Sequence, residues 1–295
     1  MHIPVLLKEV INFLDPRPGK NFIDLTCGSG GHLAVLLEKI GPEGRVLAVD
    51  WDKDAISRTE AALPDKLDSR VIFKNANFIK IAELVAEEKF EPIDGILLDL
   101  GWSSDQLEKS GRGFSFLKDE PLDMRYSENN DLTARDIVNY WPPEEIEKIL
   151  KNFGEERLAG KIVAAIVKAR QKKPILTTQE LVVAISPAFP KKTNYARIHF
   201  ATRTFQALRI AVNNEMDNLV KVLPQALDLL VTGGRLVIIS FHSLEDRIVK
   251  NFFRQQAKEG KIKILTKKPI RPAEEEILKN FRSRSAKLRA VEKIS

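Results

Sequence analysis

Phe22-Ile-Asp-Leu-Thr-Cys-Gly-Ser-Gly-Gly-His32 decides how this chain is read. An apolar run ends in Asp24, a glycine-rich turn follows, and Leu33, Leu36, Leu37 and Ile40 recur at helical spacing until Gly41-Pro42 stops the helix. The stretch is therefore a strand, a tight loop and a helix. In an open parallel sheet such a turn sits at the carboxyl end of the first strand, where ligands bind and glycines let the backbone approach them. A plain tight turn is the competing reading.

The pattern continues on both sides of a carboxylate. Arg45–Asp50 is an apolar run whose terminal Asp50 lies about 20 positions beyond the glycines, the spacing at which a second strand presents an acid to ribose hydroxyls. Helices are expected at Asp54–Leu63 and Ile79–Glu87, and strands at Arg70–Phe73 and at Ile93–Asp99, which again ends in a carboxylate. Buried strands alternating with helices predict a parallel, doubly wound sheet.

Beyond Asp99 the alternation stops. Gly101–Tyr126 reads as a long loop, and Thr133–Leu230 is helical throughout. Pro142-Pro143 opens one helix that Gly154 closes, Glu155–Lys172 forms another, Thr177 with Glu180 makes a capping box, and two longer helices cover about 194–230. Strands resume at Arg235–Ser240 after Gly233-Gly234. Ser243–Lys258 is a helix with Ser243 as its cap, Lys261–Leu265 a strand, and Lys287–Ile294 an alternating strand suited to an edge or antiparallel position. The expected α/β domain comprises 1–104 and 231–295, with an all-helical domain over 105–230 inserted between strands 4 and 5.

The totals narrow the partners. The net charge of +6 is uneven: from Glu245 onward there are 15 Lys and Arg against 7 Asp and Glu, whereas the rest carries 32 against 34. A basic tail suits a polyanion such as RNA, with a solubilising surface as the alternative. No stretch approaches the roughly 20 apolar residues that span a bilayer, and Met1–Asp15 lacks a signal-peptide pattern, so a cytoplasmic protein is expected. The lone Cys27 excludes an internal disulfide, and His2, His32, His199 and His242 show no paired metal-ligand spacing, so no metal is expected.

A dinucleotide turn wants a third glycine where this chain has Leu33. With Asp24 at the strand end, that favours a ligand with a cationic amino-acid end and no diphosphate. S-adenosylmethionine fits, with Asp24 facing the ammonium, Gly28, Gly30, Gly31 and His32 supplying backbone to the carboxylate, and Asp50 taking the ribose hydroxyls. NAD remains a rival on these residues alone. His32 is read as a backbone donor or local cap in preference to a base. Asp99-Leu-Gly-Trp-Ser-Ser-Asp-Gln106 follows the fourth strand, where a methyl acceptor must arrive, and its carboxylate and hydroxyls can hold an exocyclic amine. Gly111–Phe116 reads either as part of that acceptor site or as a surface turn with packing aromatics. Attack at pyrimidine C5 generally needs a thiolate, and the one cysteine sits in the cofactor turn. An exocyclic nitrogen or a ribose hydroxyl is the expected target, methylated in line without a covalent enzyme intermediate.

With these residues assembled, the chain resembles the ribosomal RNA small subunit methyltransferase H family, which methylates N4 of a cytidine in the decoding region of bacterial 16S rRNA. The resemblance is carried by His2–Val10, Asp24–His32, Asp99–Gln106, Arg112–Phe116, Leu122–Arg125, Ala201–Ile210, Ser240–Val249 and Arg282–Ala290. It implies a class I, Rossmann-like methyltransferase with a helical insertion, and cofactor contacts at Gly30, Gly31, His32, Asp50, Phe78, Asp99 and Gln106. In this light Asp99, Ser103, Ser104 and His242 are the candidate catalytic residues, Asp99 with Leu100–Ser104 holding the amine of an unstacked base. Arg112, Arg125, Arg203, Arg209, Arg282, Arg284, Lys287 and Arg289 are the candidate RNA contacts, with capping and salt bridging as the other reading for Arg203 and Arg209. The implied partner is 16S rRNA, within a small subunit or its precursor, and a homodimer is one oligomeric state open to the chain. The chain departs from the family at Phe200 and Phe281, where proline is usual.

Overall fold

The computed structural model describes residues 4–63, 69–101, 110–190 and 199–295. Expectations for His2, Ser103, Ser104 and Gln106 lie outside the described residues. The chain divides into two compact units, Met1–Gly101 with Met216–Ser295, and Trp102–Glu215.

In the first unit, the elements in chain order are α1 (Leu7–Leu14), β1 (Phe22–Asp24), α2 (Gly31–Ile40), β2 (Val46–Asp50), α3 (Lys53–Ala62), β3 (Val71–Asn75), α4 (Ile81–Glu88) and β4 (Ile93–Asp99). Their seven-stranded sheet runs β3-β2-β1-β4-β5-β7-β6, with β5 at Leu230–Ser240, β6 at Ile262–Ile264 and β7 at Lys287–Lys293. All pairings from β3 to β5 are parallel, and β7 runs antiparallel to both β5 and β6. This is the expected doubly wound, mostly parallel sheet.

Successive strand residues point to opposite faces, so the apolar runs feed two cores. Ile23, Leu47, Val49, Ile96, Leu98, Leu236 and Ile238 join one cluster, covered by Leu84 of α4 and by Val249 and Phe253 of α11 (Ser243–Lys258). Phe22, Val46, Ala48, Leu97, Val237 and Ile239 join the other, covered by Val10 and Leu14 of α1 and by Leu33, Leu36, Leu37 and Ile40 of α2.

Two expectations change here, and a third is narrowed. The helix Glu215–Leu229, expected inside the insertion, belongs to the sheet unit, because Leu219, Val222, Leu223, Ala226 and Leu227 form an apolar stripe buried in the first of those cores. β7 takes the antiparallel one of its two expected positions; paired on both sides, it shows four consecutive buried residues. His242, not Ser243, caps α11 in a capping box with Glu245.

The second unit contains α5 (Ala134–Tyr140), α6 (Pro143–Gly154), α7 (Ala159–Arg170), α8 (Thr178–Ile185) and α9 (Thr202–Asn213); the sheet unit's Glu215–Leu229 is α10. The Thr177–Glu180 capping box forms as the spacing predicts. Phe114, Leu122 and Met124 enter the core of these helices. Phe114 stacks on Tyr126, and Phe116 meets Phe205 edge-on at 5.2 Å, so the packing reading of Gly111–Phe116 is the one observed. Gly113 has φ 73°, and a Cβ there would collide with the Pro121 carbonyl, which explains the glycine. Phe200 stacks on His199 and meets Phe189 at a tilt of 48°.

Candidate active site

The ends of β1, β2 and β4 place Asp24, Asp50 and Asp99 around the glycine turn. Asp24 is buried, and its Oδ1 accepts the Thr26 N–H at 3.1 Å. Thr26 Oγ1 in turn accepts the Asp99 N–H at 2.6 Å, joining the tips of β1 and β4. Asp50 accepts the Gly28 N–H at 2.9 Å through one oxygen and the Asp52 N–H at 2.9 Å through the other. Thr59 Oγ1 donates to the Gly28 carbonyl at 2.7 Å. The turn is thus held in shape by groups on β2, β4 and α3.

The glycines are sterically required. Gly28 and Gly30 have φ 52° and 75°, and a Cβ on Gly30 would lie 2.6 Å from Thr59 Cγ2. Gly31 opens α2 against Pro4. His32 is buried; its Nε2 meets the Val5 carbonyl at 3.0 Å, so that nitrogen carries the proton and donates, and its Nδ1 lies 3.8 Å from Asp99 Oδ2. Phe78 is half-buried against the core and opens a 3₁₀ turn capped by Asn77.

Burial outweighs the compensation these acids receive among the described residues, and their proton affinities rise. Burial above all, then the Asp50 charge, pushes Asp24 up to about 7, against the opposing Thr26 hydrogen bonds. Burial raises Asp50 to about 6, although N–H groups of Asp52 and Gly28 oppose it. Asp99 rises well above the usual carboxylate range through burial, followed by the charges of Asp24 and Glu245. Its Oδ1 is buried with no hydrogen-bond partner among the described residues, as are Ser29 Oγ and Ser240 Oγ. Orphaned buried acceptors of this kind call for a ligand that donates hydrogen bonds or carries positive charge.

At the end of β5, Glu245 accepts the N–H groups of Phe241 (2.8 Å) and His242 (3.3 Å), and His242 Nδ1 accepts the Glu245 N–H at 3.4 Å. The Nδ1 of His242 thus serves the helix start, the capping reading of this residue, while its Nε2 lies 3.2 Å from Glu245 Oε1. Thr26 and Glu245 were missed in reading the sequence. The signal for Thr26 was a hydroxyl directly after a strand-end acid; for Glu245 it was the acid at the third helical position after His242.

The candidate RNA contacts divide. Arg209 is buried and doubly bonded to Glu215 at 2.8 Å, and Arg289 is buried and bonded to Asp246 at 2.7 Å, so neither presents a guanidinium to phosphate. Lys287 lies 3.9 Å from the same Asp246. Arg125 grips Asp123 through two bonds at 2.8 Å and the Asn130 carbonyl at 2.7 Å. Burial would raise Asp123, but the Arg125 hydrogen bonds prevail and hold it below the usual range. Arg112 donates to the Tyr126 carbonyl at 3.0 Å. Arg203, Arg282 and Arg284 are exposed.

Comparison with known proteins supplies the remaining finding. Residues 1–294 match the model of the MraW methylase family. The chain is 45% identical over 294 residues to the ribosomal RNA small subunit methyltransferase H of Desulfotalea psychrophila, covering 100% of this chain and 98% of that protein. It is 46% identical to the protein of the same name from Coxiella burnetii, covering 100% and 99%. A solved rRNA methylase from Streptococcus thermophilus aligns over the whole of both chains with a TM-score of 0.47 and 12% identity.

Proposed function

The chain belongs to the MraW methylase family, and from that premise we propose that it transfers a methyl group from S-adenosylmethionine to N4 of a cytidine in the decoding region of 16S rRNA. Relatives sharing nearly half its sequence over full length carry the name ribosomal RNA small subunit methyltransferase H. The observation that carries the reading is the set of under-compensated acids Asp24, Asp50 and Asp99 around the Gly28–His32 turn.

The donor set fits the cofactor. Asp24 suits an ammonium, Asp50 the ribose hydroxyls, and the N–H groups entering α2 a carboxylate. When bound, the cofactor supplies a methyl group made electrophilic by its sulfonium. The protein's part is to bind and orient. An exocyclic amine is a poor nucleophile because its lone pair is conjugated with the ring. Asp99, with one unpartnered oxygen and a raised proton affinity, accepts a hydrogen bond from that amine and relieves the positive charge that grows on it.

Cys27 supports nitrogen over carbon as the target. It is buried, and burial followed by the Asp50 and Asp24 charges raises its thiol well above the usual value, which disfavours the thiolate that C5 chemistry needs. Transfer is then direct and in line. The substrate is 16S rRNA in the small subunit or its precursor, the enzyme works in the cytoplasm, and a homodimer is compatible with it. No helix among the described residues is long and apolar enough to cross a membrane.

Two measurements test the reading. Calorimetric titration should show S-adenosylmethionine binding and no NAD binding; the reverse would return the site to a dinucleotide. Incubation with labelled cofactor and small-subunit RNA, alone and within small-subunit particles, should place label in the RNA, and RNA unlabelled in both under saturating cofactor would refute the function.

A further inference from the structure

The segment between β6 and β7 carries the most exposed apolar side chains of the sheet unit. Leu278 is 86% exposed at the end of α12 (Glu274–Lys279), and Phe281 is 67% exposed in the 3₁₀ turn Phe281–Ser285. The Arg284 guanidinium lies over the Phe281 ring, 4.7 Å from its centroid.

The turn that presents these groups is held from inside. Ser283 is fully buried; its N–H and Oγ both donate to the Asn280 carbonyl, at 2.9 and 2.8 Å. The Asn280 side chain accepts the Arg282 N–H at 3.2 Å, and the Ala286 N–H returns to the Ser283 carbonyl at 2.8 Å. Phe281, Arg282 and Arg284 therefore face solvent from a fixed scaffold. A ring left in water on such a scaffold needs a reason, since turning it inward would remove apolar area from solvent.

The surroundings indicate the partner. From Lys267 to Arg284 there are six basic and three acidic residues, and one of the acids, Glu276, is bonded to the Leu6 N–H at 2.7 Å. The basic excess suits phosphate, and the planar ring with its stacked guanidinium suits the flat face of a nucleobase, which every base presents. An aliphatic protein surface would match the ring but not the charge.

We infer that Phe281 and Arg284 form a stacking platform for an unpaired nucleotide of the RNA substrate, with Arg282 and Lys279 facing its phosphates. The inference rests on the proposed RNA substrate and adds to it a contact remote in sequence from the cofactor turn. The platform holds RNA without selecting a particular base, because Phe281 offers no hydrogen bond.

The test compares the full-length protein with Phe281→Ala, Phe281→Trp and Arg284→Ala, titrating an unstructured pyrimidine oligoribonucleotide and the same strand with abasic sites. Stacking of this kind is worth about 1–3 kcal/mol per base, which converts to a loss of roughly 5- to 150-fold for Phe281→Ala at about 0.59 kcal/mol of thermal energy. Phe281→Trp should keep affinity and show tryptophan quenching on binding. Phe281→Ala should leave the salt dependence unchanged, whereas Arg284→Ala should reduce it. On abasic RNA the wild type and Phe281→Ala should bind alike.

Equal affinity of wild type and Phe281→Ala for the base-bearing strand would overturn the inference, and so would a loss seen only on assembled small-subunit particles, which would assign the patch to a protein. Methyl transfer by the wild type to small-subunit RNA, run alongside, separates the two readings. Transfer with an unaffected Phe281→Ala refutes the platform alone, and absence of transfer refutes the function.

Discussion

Asp24 shows how one buried acid links stability to binding. In the unfolded chain Asp24 and Asp50 release their protons near the ordinary 3.8, in the folded chain near 7 and 6. Between those values the cofactor-free folded chain holds more protons than the unfolded chain, so its stability falls as pH rises from about 4 to about 7. A cationic ligand prefers the ionised acids, so S-adenosylmethionine affinity should fall as pH drops from about 7 to about 5, approaching tenfold per pH unit for each acid that titrates. Calorimetry across that range checks the slope; pH-independent affinity would contradict the charge pairing. Asp24→Asn keeps an oxygen for the Thr26 N–H but removes the charge. It should raise the melting temperature of the cofactor-free protein near pH 8 and weaken cofactor binding by at least about tenfold.

Arg209 illustrates the limits of assigning a side chain from its charge alone. Its position on a mostly apolar helix admitted either RNA or an internal partner, and the six-residue step to Glu215 crosses the left-handed Asn214, with φ 49°, a turn that no helical spacing rule anticipates. Glu215→Ala removes the carboxylate bonded twice to the buried Arg209 guanidinium and should cost about 3–5 kcal/mol by chemical denaturation. The paired replacement Arg209→Met with Glu215→Leu should cost much less. If Glu215→Ala proves neutral, the pair is not the structural clasp that it forms here.

Among the elements, α2 and the strands β1, β2 and β4 were legible because glycines, strand-end acids and helical periodicity coincide within short windows. The helix α1 was missed, although Leu6, Val10 and Leu14 have the spacing of a buried stripe. The short α12 has no buried residue to mark it. α10 was found as a helix but placed in the wrong unit, since an apolar stripe does not say which core it enters. Truncating that stripe should report on the sheet: Leu223→Ala, at a fully buried position, is expected to cost about 2–5 kcal/mol. Thermal melts of the variant with and without S-adenosylmethionine would show the loss, with the cofactor restoring part of it by mass action.

For the chain as a whole, the fold was readable because a parallel sheet buries continuous apolar runs that alternate with helices. The residues proposed to hold the cofactor were readable because they cluster at strand ends. The proposed RNA contacts were harder: Arg112, Arg125, Arg209 and Arg289 resemble the exposed Arg282 and Arg284 in composition, yet the first four make internal hydrogen bonds and ion pairs. Only burial and partners distinguish them.

The most direct test is the identity of the methylated nucleoside. Small-subunit RNA methylated with labelled cofactor and digested to nucleosides should carry its label on N4 of cytidine, and Asp99→Ala should abolish that label while leaving the protein folded. Label on C5 or on ribose, or full activity in Asp99→Ala, would contradict the account.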